Sequence, residues 1–540
     1  MRALAGEGSP LAARQGELPP PAVGRSVVVL LVLCGALLAI NAPWQSFMAH
    51  DEGYYAQQAR MMLADGDWIT QQWWGTLVYD RANGIQWLVA MSQSLFGFGE
   101  IASRLPAMAA SLGSVLLLYA IGRRIAPEPV ALLGAAILAV TPIFMQASKL
   151  ATQDVPLVFT ELLAIWALLR AEEGRRRFAA LAGIAFGLGF AIKSFMVLPA
   201  AAAMAPYLLW EHRRHRHLAN PWLWLGVLAG LLPTVAWLGL SYLRHGWFPV
   251  EAYFGKLLFL AGSDFHNVGP LYYVWNVPVN AFPWSLLAIG GAFVVWRDPA
   301  YRRRALVIGF PLTLFVELTS FTTRAWYYAL QLLPMMSILA AACLAWLAGR
   351  YAAHARLPQA LTVFMAAAGT LALAAVPVAA LAGIDPLPPE LSPLRFVIMA
   401  AGLGFLAPLA VLLADRHVAE RHGVHWAWAW LAGPFLAIAG LFATGLWGNY
   451  TPATKALLTT GPIGDAVLRG PVAFVLPPPA SVDKPVVLMS LYMPQPGRPV
   501  ADASGLRPGE TAWVRARELP RAPAHEVIGT YEDWTLIRIP

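Results

Sequence analysis

Charged side chains are scarce in this chain. Asp, Glu, Lys and Arg make up 13% of its 540 residues, whereas 58% are hydrophobic and the mean hydropathy is +0.57. Soluble domains carry about 25% charged residues, so this composition excludes a soluble globular protein. It favours a chain whose solvent is lipid. The sequence therefore predicts a polytopic membrane protein.

Cysteine is almost absent as well. The two cysteines, Cys34 and Cys343, both lie inside apolar segments, which excludes a disulfide framework and a thiolate metal site. No cleavable secretory signal is expected, because the first apolar run is too long and lacks a convincing small-residue cleavage site. We expect that run to be retained as a membrane anchor.

Long apolar runs are abundant, and each could form a helix of the roughly 20 residues that a membrane span needs. They lie at 26–46, 105–122, 130–146, 155–170, 178–193, 196–210, 221–240, 277–296, 305–319, 327–348, 359–381, 395–414 and 425–446. The fold class predicted is mainly α, with about 13 transmembrane helices.

Arginine clusters alternate with these runs. With the N-terminus in the cytoplasm, the clusters at 123–124, 175–177, 212–217, 297–304, 350–356 and 416–421 all fall on the inner side. This arrangement follows the positive-inside rule. The net charge of +8 is therefore explained by topology, and no nucleic-acid partner is expected.

The same topology predicts the domains. Residues 1–25 form a cytoplasmic tail, residues 26–446 a transmembrane domain, and residues 447–540 an external C-terminal domain. Two long external loops lie at 47–104 and 241–276, and the stretch 85–96 is predicted as an amphipathic juxtamembrane helix on the membrane surface. Strands are predicted at 472–476, 486–491, 511–517 and 527–539, which indicates a small α/β domain.

Unusual polar residues collect on the external side. They are Asp51, Glu52, Asp80, Arg81, Asp154, Lys193, Asp264, His266 and Arg324. A transporter is expected to hold ionisable groups nearer the midplane of the membrane. Cations that hold phosphate, beside carboxylates that handle a proton, instead suit a reaction on a lipid-linked anionic substrate. The pattern favours a lipid-dependent transferase.

A family resemblance is carried by several motifs in a fixed order. They are DEGYYA at 51–56, ARMMLADGDW at 59–68, RLP at 104–106, ATQDVPL at 151–157, GLGFAIK at 187–193 and FPW at 282–284. The sequence resembles the ArnT and protein O-mannosyltransferase families of the C-type glycosyltransferase superfamily over roughly residues 26–350. Members of these families use polyprenyl-phosphate sugars.

The resemblance implies roles for the acidic residues. Asp51 matches the essential acid of these families, which deprotonates or orients the acceptor or stabilises charge as the sugar leaves. Asp154 matches the second acid, with a helix N-cap as the alternative role. Glu52 and Tyr55 are candidates for substrate or phosphate binding, although Glu52 could instead pair with an arginine.

Four further residues are candidate phosphate ligands by the same resemblance. Arg81 lies in YDRANG at 79–84, where many relatives carry Lys followed by two prolines. Arginine keeps the charge and can bind phosphate bidentately. Lys193 could contact phosphate or anchor its helix at the interface. Arg324 and Tyr328, in TTRAWYY at 322–328, could form a clamp, with an interfacial anchor as the alternative for Arg324.

His266 could contact the leaving phosphate, join Asp80 as a metal ligand, or be an ordinary surface histidine. One His and one Asp do not define a metal site. The resemblance implies chemistry without a metal cofactor, and a divalent ion stays as the alternative.

Taken with the topology, the resemblance implies an inverting glycosyltransferase in a bacterial inner membrane, surrounded by its lipids, with its active site and C-terminus periplasmic. The donor would be an undecaprenyl-phosphate sugar and the acceptor the phosphate of lipid A, as in 4-amino-4-deoxy-L-arabinose transferases. Protein O-mannosylation or transfer to another envelope glycan is the alternative within this class. A lipid-linked sugar transporter or flippase is the alternative of another class.

Overall fold

A computed structural model describes residues 23–262, 268–383, 387–418, 421–477 and 483–540. Two residues named in the sequence analysis, Asp264 and His266, lie outside these ranges. The described chain is mainly helical, with a small sheet near the C-terminus.

The predicted apolar runs all overlap helices. The α-helices of this part are Val23–Ala39, Glu100–Ile125, Glu128–Ala139, Pro142–Ser148, Asp154–Glu172, Phe178–Lys193, Val197–Ala203, His212–His215, Pro221–His245, Phe248–Gly262, Tyr272–Asn280, Trp284–Arg297, Arg304–Val307, Gly309–Ser320, Leu333–Ala352, Arg356–Leu381, Leu394–Phe405, Ala407–Ala414, Gly423–Ala429 and Ala432–Ala443. A 3-10 helix, Trp326–Leu332, leads into Leu333–Ala352.

The number of spans differs from the prediction. Within the described ranges, seven helices are long and apolar enough to cross a membrane, or up to nine if two bent pairs each count as one span. The pairs bend by 61° and 101°, and Val23–Ala39 has only 17 residues. Breaks and short helices thus account for the difference from about thirteen. The protein is a multi-pass membrane protein.

Glycine allows two helices to pack at very short range. A Cβ atom on Gly187, in helix Phe178–Lys193, would lie 2.2 Å from the carbonyl carbon of Gly230 in helix Pro221–His245. Each helix carries a second glycine one turn earlier that makes an equally close approach. Small residues at this spacing let membrane helices pack backbone against backbone. The contact fixes the helix that ends at Lys193.

The segment predicted as the first external loop contains two helices and a hairpin. Helix Glu52–Asp65 is followed by strands β1 (Gln72–Trp73) and β2 (Thr76–Leu77) and then by helix Gly84–Phe96. The prediction of a helix at 85–96 is confirmed, whereas its position on the membrane surface stays a prediction. The two helices pack together through apolar side chains.

The C-terminal residues form helices and a five-stranded sheet. The helices are Pro452–Thr459, Gly461–Leu468 and Lys484–Leu491, and the strands are β3 (Val472–Val475), β4 (Arg498–Val500), β5 (Thr511–Arg515), β6 (Glu526–Tyr531) and β7 (Trp534–Arg538). The strand order is β4-β3-β5-β7-β6, with β3 parallel to β4 and β5, and β7 antiparallel to β5 and β6.

Two strand predictions in this region are wrong. The stretch 486–491 is helical, because Asp483 caps helix Lys484–Leu491 by accepting from the Val486 N–H at 3.2 Å and Pro485 occupies its first turn. The stretch 527–539 is a hairpin that turns at Glu532, which has a φ of 52°. Strand β4 was missed because it is short and contains proline.

The C-terminal region packs on the segment 47–104. The Arg60 guanidinium donates to the carbonyl oxygens of Ser490 and Met493, both at 2.7 Å. The Trp74 indole donates to the Pro496 carbonyl at 3.0 Å. Apolar side chains from both segments share one buried cluster. The conformation of the loop therefore depends on residues at the far end of the chain.

Candidate active site

Asp51 projects from a tight turn just before helix Glu52–Asp65. Its backbone has a φ of 40°, which is uncommon for a residue other than glycine. Gly53 closes the turn, since a Cβ atom there would lie 2.7 Å from the Met48 carbonyl oxygen. The Asp51 side chain is 41% exposed and accepts from Arg81 Nη1 at 3.2 Å. The turn thus presents a carboxylate to its surroundings.

Glu52 points the opposite way and has no exposed surface. Arg104 binds it bidentately, with Nε 2.6 Å from Oε1 and Nη2 2.8 Å from Oε2. The backbone N–H groups of Met48 and Ala151 donate to the same carboxylate at 2.8 and 3.1 Å. This position matches pairing with an arginine, the alternative role given to Glu52, and is too enclosed for a substrate ligand.

Arg104 is itself a junction between distant segments. It donates to the Gln45 side chain at 2.8 Å, to the Ser46 carbonyl at 2.9 Å and to the Gly448 carbonyl at 3.1 Å. The motif RLP, which carries part of the family resemblance, therefore holds the turn bearing Asp51 against the end of the last apolar helix.

Arg81 and Tyr55 lie beside Asp51. The Arg81 guanidinium lies 5.1 Å from the centre of the Tyr55 ring and 3.5 Å from the Asp80 carboxylate. Burial raises the pKa of Tyr55 above its usual value. The charge of Arg81 opposes that rise, and the charges of Asp51 and Asp154 add to it. The phenol therefore stays protonated, and both carboxylates lie within electrostatic range of it.

Asp154 and Lys193 form the second ion pair of the site. Lys193 ends helix Phe178–Lys193 and donates to Asp154, the first residue of its own helix. The cap position of that helix is Gln153, so the N-cap role considered for Asp154 is wrong. The ammonium also lies 4.5 and 5.2 Å from the ring centres of Tyr327 and Tyr328.

The two ion pairs belong to one cluster. Tyr328 interacts electrostatically with Lys193, Asp154 and Asp51, and Tyr55 interacts with Asp51, Asp154 and Arg81. The structure therefore brings together six of the residues selected from the sequence. They are Asp51, Tyr55, Arg81, Asp154, Lys193 and Tyr328.

Comparisons with known proteins find related sequences and a related fold. Residues 80–239 match the sequence profile of the dolichyl-phosphate-mannose-protein mannosyltransferase family. The undecaprenyl phosphate-alpha-4-amino-4-deoxy-L-arabinose arabinosyl transferase of Pseudomonas aeruginosa is 29% identical over 328 residues. That match covers 58% of this chain and 58% of the relative. A second such transferase, from Pseudomonas fluorescens, is 29% identical over 304 residues, which is 53% of this chain and 50% of the relative.

The crystal structure of ArnT from Cupriavidus metallidurans bound to undecaprenyl phosphate superposes with a TM-score of 0.71 at 18% identity. The superposition covers 96% of this chain and 98% of that chain. The chain has the ArnT fold. The resemblance inferred from the motifs is thereby confirmed. The archaeal oligosaccharyltransferase AglB of Archaeoglobus fulgidus is a more distant match, with a TM-score of 0.51 at 13% identity over 88% of this chain and 64% of that one.

The remaining cationic candidates of this ArnT-fold chain are Arg324 and His266. Arg324 is buried and donates to the carbonyl oxygens of Thr319 and Thr322 at 3.0 and 3.3 Å, beyond the end of helix Gly309–Ser320. His266 lies outside the described residues. Within those residues, no group of three or more His, Cys, Asp and Glu side chains is arranged to hold a metal ion.

Some residues at this ArnT-fold site were missed by the sequence analysis. Tyr327 contacts Lys193 although only its neighbour was selected. Burial lowers the pKa of His50, and the positive charge of Lys484 lowers it further. Lys484 begins helix Lys484–Leu491, so this helix starts close to His50, the neighbour of Asp51. Glu161 accepts from Gln331 and thereby joins helix Asp154–Glu172 to the segment that carries Tyr328. A carboxylate in an apolar helix was the signal for Glu161.

Proposed function

We propose that the chain is an inverting glycosyltransferase that moves a sugar from undecaprenyl phosphate to an acceptor at the periplasmic face of a bacterial inner membrane. The observation that carries this proposal is the cluster in which two carboxylate–cation pairs, Asp51–Arg81 and Asp154–Lys193, lie near the phenols of Tyr55 and Tyr328. Acidic and cationic groups in one cluster can serve both a phosphate leaving group and a nucleophile.

Lys193 and Arg81 are the groups proposed to hold the phosphate of the donor. Charge-assisted hydrogen bonds from ammonium and guanidinium to phosphate are strong, and Arg81 can bind two oxygens at once. The rings of Tyr327 and Tyr328 keep the Lys193 ammonium in position. As the bond between the sugar and phosphate breaks, the phosphate keeps the electron pair and these cations stabilise its charge.

Asp51 is proposed to act on the acceptor and the sugar, and Asp154 to position a cation against the donor. The acceptor oxygen attacks the anomeric carbon from the face opposite the phosphate, which inverts that centre in a single displacement. Asp51 takes the proton of a hydroxyl acceptor. An acceptor phosphate is already nucleophilic, so Asp51 then orients it and stabilises the positive charge on the sugar ring. Asp154 positions Lys193 against the donor.

The acceptor proposed is a phosphate of lipid A, and the sugar is 4-amino-4-deoxy-L-arabinose. The Pseudomonas relatives are named as undecaprenyl phosphate-alpha-4-amino-4-deoxy-L-arabinose arabinosyl transferases, which supports this sugar. The match to a mannosyltransferase family over residues 80–239 supports protein O-mannosylation as the second candidate.

A direct assay separates these functions. Purified protein in proteoliposomes is given undecaprenyl-phosphate aminoarabinose and lipid A, and mass spectrometry should find lipid A heavier by one aminopentose. A hexose gained by protein acceptors from polyprenyl-phosphate mannose, with lipid A unchanged, would favour the second candidate. Movement of the donor across the bilayer without any transfer product would favour a flippase.

Substituting Lys193 by Gln should lower kcat/KM for the donor roughly 10- to 100-fold, because one charge-assisted hydrogen bond to phosphate contributes about 1.5–3 kcal/mol. The amide can still donate to Asp154, which limits damage to the fold. Steady-state transfer rates at varied donor concentration measure the change. Lys256→Gln, on helix Phe248–Gly262, is the matched control and should keep full activity. Equal rates for Lys193→Gln and the wild type would contradict the phosphate role.

The topology proposed with this function has about thirteen spans, with residues 1–25 inside and residues 447–540 outside. The arginine clusters between the spans support it. In a chain without its two native cysteines, Ser504→Cys should react with a membrane-impermeant maleimide in intact spheroplasts. Arg176→Cys should react only after the spheroplasts are lysed. Both sites are exposed, so the reverse pattern would overturn the orientation.

A further inference from the structure

A basic cavity lies at one end of the C-terminal sheet, formed by a different part of the chain from the Asp51–Lys193 cluster. Its volume is about 590 Å³. The lining comes from the turn that precedes β3, from the loop that enters β5 and from the ends of β4 and β7. Its charged residues are Arg469, Arg498, Arg538 and Glu510.

Most of the positive charge in the cavity is not neutralised. Arg498 Nη2 lies 2.5 Å from Oε1 of Glu510, and the backbone N–H of Arg507 donates to the other carboxylate oxygen at 2.9 Å. Glu510 is therefore occupied in holding Arg498 and a neighbouring turn. Among the residues that the structure describes, neither Arg469 nor Arg538 forms an ion pair. Three arginines against one carboxylate leave two positive charges.

The sheet fixes the backbone positions of two of these arginines. Arg538 lies opposite Thr511 on β5 and opposite Glu526 on β6, and Arg498 lies opposite Ala473 on β3. The third cation, Arg469, comes from the turn between a helix and β3. Groups mounted on strands are held more precisely than groups on loops. The cavity wall between them stays open at Gly470, because a Cβ atom there would meet nothing within 4 Å.

We propose that this cavity binds a phosphorylated saccharide. Guanidinium groups bind phosphate oxygens bidentately, and two arginines that form no ion pair within the described residues can match the charge of a phosphate monoester. A volume of about 590 Å³ lies in the range of small-molecule sites and exceeds what a bare phosphate fills, so the remainder accommodates the sugar. Binding here does not require that the chain be a transferase.

The test is calorimetric titration of the full-length protein in detergent with the phosphate monoester of glucose, and with neutral glucose as the blank. The Arg469→Gln/Arg538→Gln variant should bind at least roughly tenfold more weakly, since each lost charge-assisted bond is worth about that factor. Arg517→Gln, an exposed arginine of the same region outside the cavity, is the control and should bind as the wild type.

The Lys193→Gln variant separates this cavity from the proposed donor site, and its binding of the sugar phosphate should be unchanged. If binding falls in Lys193→Gln and not in the arginine variant, the cavity assignment is overturned while the proposed function stands. Equal binding by the wild type and the arginine variant also overturns it. The assignment is also overturned if the wild type binds phosphatidylglycerol vesicles and does not bind the sugar phosphate. The arginines would then be a contact for a lipid surface.

A substitution at an exposed turn guards against a folding artefact. Arg469→Gln alone changes an exposed side chain before β3 and cannot remove packing from the sheet. It should retain the thermal midpoint of the wild type and still lose affinity severalfold. An unchanged affinity in this single variant, with the double variant unfolded, would count against the proposal.

Discussion

Replacing Asp51 by Asn should reduce sugar transfer at least about 100-fold and leave the protein folded. A carboxylate that accepts or orients a proton in the transition state contributes roughly 10²–10⁴ to the rate, and an amide of the same shape does neither. Asn tolerates the positive φ of this position as Asp does. The side chain is 41% exposed, so the change buries no unpaired group.

The measurement is single-turnover transfer from undecaprenyl-phosphate sugar, with the thermal midpoint recorded for each variant. Asp80→Asn is the matched control because Asp80 is also a carboxylate paired with Arg81 and is similarly exposed, at 35%. We expect at most a severalfold loss there. Wild-type product from Asp51→Asn at an unchanged midpoint would remove Asp51 from the mechanism.

The second large effect is on folding. Arg104→Met should lower the free energy of unfolding by roughly 3–5 kcal/mol, because it leaves the carboxylate of Glu52 buried without its cation. Both side chains are almost wholly buried, with exposures of 2% for Arg104 and 0% for Glu52. Thermal unfolding in detergent, followed by tryptophan fluorescence, measures the change.

An exposed ion pair offers the comparison. Arg124 and Glu173 are 2.8 Å apart but 20% and 35% exposed, so Arg124→Met should cost at most about 1 kcal/mol. The double variant Glu52→Met/Arg104→Met should recover part of the stability lost in Arg104→Met, since it removes the stranded charge. Equal losses for Arg104→Met and Arg124→Met would refute the role assigned to the buried pair.

The apolar helices and the family resemblance could be predicted from the sequence because both are local signals. Hydrophobic runs report helices directly, and motifs such as GLGFAIK keep their order along the chain. Charge was informative for the same reason, since Asp51, Arg81, Asp154 and Lys193 are rare ions among apolar residues.

What could not be predicted depends on contacts between distant segments. Asp51 and Glu52 are neighbours of the same chemistry, and nothing local tells which one faces the site. The turn closed by Gly53 leaves the Asp51 side chain exposed, and Arg104 forms a buried ion pair with Glu52. Breaks within a helical run also depend on packing that hydropathy does not report.

The C-terminal region shows the same limit at smaller scale. A run of apolar residues at 486–491 fits either a strand or a buried helix, and periodicity alone does not decide between them. The deciding feature was Asp483 followed by proline, a helix start of a kind that capping rules describe.

The pairing of the first loop with the last part of the chain bears on how the protein is made. Arg60 donates to a carbonyl oxygen that lies 430 residues later in the sequence, and Arg104 donates to the Gly448 carbonyl, 344 residues later. Synthesis runs from the N-terminus, so the turn bearing Asp51 leaves the ribosome long before the residues that hold it. The loop that carries Asp51 therefore cannot take up its final contacts until translation is nearly complete. A truncated product that is released early would contain Asp51 but lack the C-terminal residues that fix the conformation of its loop.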